Sequence, residues 1–162
     1  MLYRISKKAA TVALCILGTI SFNTQAKSTD ESWTVNTSLY GHHFHWDPNH
    51  NDRQELLDLE HQSQSDVLAG LAVFKNSFRQ ECEYIYIGKS FQKEFEDFSV
   101  HAKITAGILH GYEGQYRDKI PFNHYGTSPA AIPTIGIEVS KVVFDASLYG
   151  SAGYIITGGY KF

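Results

Sequence analysis

Beyond residue 30, apolar and polar residues alternate with a period of two along most of the chain. That is the spacing of β-strands whose two faces meet different surroundings. The pattern recurs eight times. The first strand runs Ser32–His43, with Trp33, Val35, Thr37 and Leu39 on one face. The second, near Gln54–His61, is the weakest; Leu57 and Leu59 oppose Asp58 and Glu60. The third, Asp66–Asn76, sets Val67, Ala69, Leu71 and Val73 against Leu68, Gly70, Ala72 and Phe74. The fourth, Glu83–Phe91, is aromatic and β-branched. In the fifth, Val100 to Ile108 alternate with His101, Lys103, Thr105 and Gly107. Ile132–Ser140, Val142–Tyr149 and Ala152–Phe162 complete the set. No segment of this part carries a helical period of useful length.

Eight such strands predict an all-β fold, an eight-stranded antiparallel transmembrane β-barrel with its apolar faces turned to lipid. Lys103, Glu138 and Asp145 lie on the faces to be turned inward, where charges can pair or be hydrated. An even strand number puts both ends of the barrel on the periplasmic side. The turns there are short: Gln62–Ser65, Gln92–Asp97 and Ser140–Lys141. Two outward loops are long, His45–Arg53 and Tyr112–Pro129; those around Phe78–Cys82 and Gly150–Ser151 are tight. A barrel of this size holds side chains or one small ligand, and is too narrow for a wide pore.

The ends of the chain add an address. Arg4, Lys7 and Lys8, the apolar run Ala9–Phe22 and the small residues of Thr24-Gln25-Ala26 read as a secretory signal peptide, residues 1–26, cleaved near Ala26. Residues 27–162 then form one domain. At the other end, Phe162 with Tyr160 two places before it resembles the C-terminal signature of outer-membrane barrels. Together they predict the bacterial outer membrane, with phospholipid and lipopolysaccharide as surroundings and a monomeric state. Cys82 is the one cysteine after the signal, so no intramolecular disulfide is expected. A net charge of −3 without a basic block gives no case for nucleic acid, and nothing in the pattern calls for a cofactor.

Candidate chemistry gathers at the outer ends of the first and third strands. Asn76-Ser77 is ordinary turn chemistry, and Ser77 is also a nucleophile if a histidine base lies within reach. The topology puts His42, His43 and His45 at the same mouth, with Asp47, His50 and Asp52 following. Three readings of this cluster stand: solvated loop histidines, a base drawn from His42 or His43, or a transition-metal site. The long loop Gly111–Asn123 mixes charges and tyrosines suited to lipopolysaccharide or to folding over the mouth. His101, Lys103 and Asp145 read as a satisfied polar network within the barrel.

The run Leu71-Ala72-Val73-Phe74-Lys75-Asn76-Ser77-Phe78 resembles the strand and loop that carry Phe-Lys-Asp-Ser-Trp in the PagP family of lipid A palmitoyltransferases. The stretches His101–His110, Gly111–Asn123 and Pro129–Gly136 are similar to a family of small envelope proteins often labelled sn-glycerol-3-phosphate transporters. The PagP resemblance implies an eight-stranded barrel with a His, Asp and Ser site at its outer mouth. Ser77 matches the serine, and Asn76 stands where the aspartate would be. Aligned on Phe44, the histidine position falls on Gly41, one residue from His42. On this basis the expected functions are an acyltransferase or acyl hydrolase, with Ser77 as nucleophile, His42 or His43 as base and Asn76 as orienter; a non-catalytic lipid-binding or envelope-stabilising barrel; or a glycerol-3-phosphate transporter.

Overall fold

The strands form where the period-two pattern places them, and they close into a ring. In order they are β1 (Ser32–His43), β2 (Leu57–Gln62), β3 (Val67–Lys75), β4 (Glu81–Glu94), β5 (Ser99–His110), β6 (Thr127–Val139), β7 (Val142–Tyr149) and β8 (Gly153–Lys161). The computed structural model describes residues 30–45, 47, 50, 51 and 53–162. The segment read as a signal peptide, and Asp52, lie outside the described residues. Every strand pairs antiparallel with its chain neighbour, and β8 returns to β1 to close the barrel. At the seam Trp33 and Phe162 exchange both backbone hydrogen bonds, at 2.9 and 2.8 Å. Closure gives every strand a hydrogen-bonded neighbour on each side, the condition for strands in hydrocarbon.

The two faces sort by polarity, in the inverse sense to a protein folded in water. Outside are Val35, Leu59, Leu71, Ile87, Ile135 and Phe144, all exposed. Inside and buried are Thr34, Asn36, Glu60, His101, Asp145 and Thr157. Large rings stand at the two rims of this apolar wall, Tyr40 and Phe44 at one, Phe95, Phe98 and Phe162 at the other, where amphipathic rings sit at bilayer interfaces.

Two departures from the alternation shape the mouth where β1 ends and β6 begins. The pairing of β1 with β8 shifts register between Ser38 and Tyr40, so Leu39 is an extra, bulged residue. Before it, odd-numbered residues face out; after it, Tyr40, His42 and Phe44 are exposed while Gly41 and His43 are half-buried. The second departure is β6, which begins at Thr127 rather than near Ile132. Its first half pairs with β5, whereas β7 joins it only from Thr134 on. Pro129 and Pro133 therefore lie in or at the end of a stretch with one strand neighbour, where a missing N–H is tolerated.

Candidate functional site

The β3–β4 turn is organised by Asn76, which is 2% exposed. Its Oδ1 accepts hydrogen bonds from the backbone N–H of Phe78 at 2.8 Å and of Gln80 at 3.0 Å. Its Nδ2 donates to Gln80 Oε1 at 3.2 Å. This is Asx-turn chemistry, and it consumes the amide. Asn76 is therefore held as the keystone of the turn, and no contact with a histidine is among its bonds. The turn also fixes Ser77, whose carbonyl accepts from the N–H of Asn51 at 2.7 Å.

Ser77 Oγ lies 2.6 Å from His43 Nε2. The bulge at Leu39 makes this contact, because it turns His43 rather than His42 toward the lumen. The His43 ring packs 4.8 Å from that of His50, and His50 in turn meets the Phe78 ring edge-on at 5.4 Å. His50 Nε2 is 4.0 Å from Asp47 Oδ2. His42 is exposed in the aromatic rim, its ring 5.3 Å from that of Tyr154; it borders the same cavity as Ser77, but the imidazole within hydrogen-bond distance of Ser77 Oγ is that of His43. His45 follows the strand and is exposed. Among the described residues, no three His, Cys, Asp or Glu side chains come together as a metal site.

Below the pair is a cavity of about 70 Å³ lined by Phe74, Tyr112, Tyr149 and Ile155 as well as Ser77 and His43. Tyr112 was not singled out by the sequence pattern, since it lies in a loop among other tyrosines. Burial, with a smaller contribution from Cys82, pushes its phenol up to about 12. It therefore keeps its proton at neutral pH, and the cavity is lined by a neutral phenol. Gly111 beside it has φ +120°, and a Cβ there would stand 2.3 Å from the Glu81 carbonyl oxygen. Only glycine lets the loop leave β5 at that angle.

Deeper in the lumen the side chains change character. Tyr84 and Tyr86 stack at 5.0 Å, and the Tyr86 hydroxyl donates to Asp58 at 2.9 Å and Glu60 at 3.1 Å. Lys103 Nζ bridges Glu60 at 2.7 Å and Asp145 at 3.0 Å. His101 Nε2 meets the other Asp145 oxygen at 2.5 Å. The polar network expected of His101, Lys103 and Asp145 is thus present, enlarged by Glu60, Asp58 and Tyr86. The space left in this layer is about 60 Å³, room for a few waters. Tyr149 and Ile155 line both cavities and lie between them.

Comparison with known proteins adds no site. No protein-family model matches the chain, and no curated protein matches its sequence. Among solved structures, the chain is similar to the Yersinia pestis outer membrane protein Ail in a phospholipid bilayer nanodisc, at 14% identity and a TM-score of 0.45, covering 82% of this chain and 99% of that one. It is also similar to Ail, the attachment invasion locus protein, in complex with the heparin analogue sucrose octasulfate, at 14% identity and a TM-score of 0.38, covering 83% of this chain and 100% of that one. These matches say nothing of acyl transfer or of glycerol 3-phosphate.

Proposed function

We propose that this chain spans the bacterial outer membrane and there hydrolyses or transfers acyl groups of esters carried by outer-leaflet lipids. The observation that carries this reading is the 2.6 Å contact between Ser77 Oγ and His43 Nε2 at the barrel mouth. Outer-membrane residence is supported by the closed barrel and its apolar outer wall.

In the proposed reaction His43 takes the Ser77 proton as the oxygen attacks the ester carbonyl. The tetrahedral oxyanion is met by the neutral Tyr112 phenol. Collapse breaks the ester C–O bond, and His43 returns the proton to the leaving alkoxide. Water, or a hydroxyl of a second lipid, then releases the acyl group from Ser77 by the same steps in reverse. Asn76 has no part in orienting the base; its role is to hold the turn. Mass spectrometry of outer-membrane lipids from cells making the wild type or Ser77→Ala tests this. Different acyl patterns are expected, and identical lipids would overturn it.

A second reading, a non-catalytic envelope-stabilising barrel, is favoured by the buried ion-pair layer around Lys103. It predicts unchanged lipids and altered envelope permeability on removal of the protein. The same layer weighs against passage of glycerol 3-phosphate, since it crosses the lumen with space for a few waters only. Uptake into liposomes no greater than into empty ones is expected.

A further inference from the structure

We infer that the acyl group accepted at Ser77 is short, of about two to four carbons, because the cavity beneath it ends on Tyr149 and Ile155 above a charged layer. This inference rests on the reading of Ser77 as nucleophile and specifies its substrate.

The cavity under the Ser77–His43 pair measures about 70 Å³. By the measure in which one water needs about 10–15 Å³, it holds roughly five groups of that size. An acetyl group with its carbonyl fits, and a butyryl group fills the space. Its walls are mixed: Phe74, Ile155 and the rings of Tyr112 and Tyr149 suit a short alkyl group, while His42, Gln54 and Asn76 add polar groups. Below, Tyr149 and Ile155 also line the next cavity, which faces Asp58, Glu60, Lys103 and Asp145. A longer chain pushed past Tyr149 would displace water from paired buried charges and offer them no hydrogen bond in return, a costly exchange. Length is therefore read by a floor, and a chain that runs past it is disfavoured by roughly 10–200-fold, as hydrophobic pockets disfavour one methylene that does not fit.

The step itself is balanced without further reagents. The ester C–O bond breaks as the Ser77 Oγ–acyl bond forms, and the proton passes through His43 to the released alkoxide. Water then cleaves the acyl-serine, giving the short carboxylic acid. The class of substrate is a short-chain ester of a hydroxyl compound, such as an O-acylated sugar of an outer-leaflet lipid.

The test uses the purified full-length protein in detergent micelles with p-nitrophenyl acetate, butyrate, octanoate and palmitate. Expected is kcat/KM for acetate and butyrate at least about 100-fold above that for palmitate, and loss of all turnover in Ser77→Ala. Tyr149→Ala, or Ile155→Ala should the first fail to fold, is expected to raise octanoate turnover relative to butyrate by about 10-fold. Ser77-dependent turnover that is flat with chain length, or highest for palmitate, would overturn the short-acyl assignment and leave the nucleophile in place. No Ser77-dependent turnover of any ester would overturn the nucleophile reading itself.

Discussion

Replacing Lys103 by methionine is the most demanding perturbation of the lumen. The side chain keeps most of its length and loses its charge. In the wild type Lys103 bridges Glu60 at 2.7 Å and Asp145 at 3.0 Å, and all three side chains are less than a tenth exposed. The change leaves Glu60 with the Tyr86 hydroxyl and Asp145 with His101, so neither carboxylate is stripped of every partner. Breaking a buried ion pair from one side costs about 3–5 kcal/mol, because a charge remains without its counter-ion. The surviving hydrogen bonds place the expected loss toward the lower half of that range. A loss of about 3–4 kcal/mol is between two and three powers of ten in the unfolding constant. The assay is equilibrium unfolding in urea, followed by tryptophan fluorescence in lipid vesicles. Adding Glu60→Gln and Asp145→Asn to Lys103→Met removes the orphaned charges, and should restore at least half of the loss. A loss below about 1 kcal/mol for Lys103→Met would refute the reasoning. It would mean that water already screens these charges, and the barrier under the acyl cavity would fall with it.

Two further outcomes are expected. His43→Gln should lower Ser77-dependent ester turnover by about 10²–10⁴-fold, the contribution of a general base, while His42→Gln, at the aromatic rim, leaves it within about twofold; kcat/KM on p-nitrophenyl butyrate checks both. Asn76→Ala orphans the N–H groups of Phe78 and Gln80 and should cost about 1–3 kcal/mol in urea unfolding; Asn76→Asp keeps both accepted bonds but loses the donation to Gln80 and buries a charge, so it should be no more stable than Asn76→Ala at neutral pH and recover as the pH is lowered.

Much of the barrel is legible in the chain because a strand between lipid and a polar lumen has no choice but to alternate. Ser32–His43 and Val142–Tyr149 begin and end where the pattern puts them. Lys103 and Asp145 read as inward because charge facing lipid is expensive. The pattern is weaker where the chain leaves the bilayer. Pro129 reads as loop, since proline breaks a paired strand, yet the missing β7 neighbour over that stretch makes it harmless. Asn76 looks like part of a triad by position, but its buried amide answers to backbone N–H groups that no residue pattern displays. The bulge at Leu39 left no mark either. Its neighbours keep alternating on both sides, and only the pairing with β8 reveals the extra residue.

That single inserted residue makes β1 a kind of selector. The chain offers two adjacent histidines, and the reading frame of the strand decides which one addresses the serine and which one addresses the membrane. Gaining or losing one residue anywhere between Trp33 and Gly41 would exchange their assignments without altering either side chain. A change of chemistry at the mouth is thus one codon's insertion away, and comparisons with related barrels have to be anchored on the bulge before any histidine is matched to another.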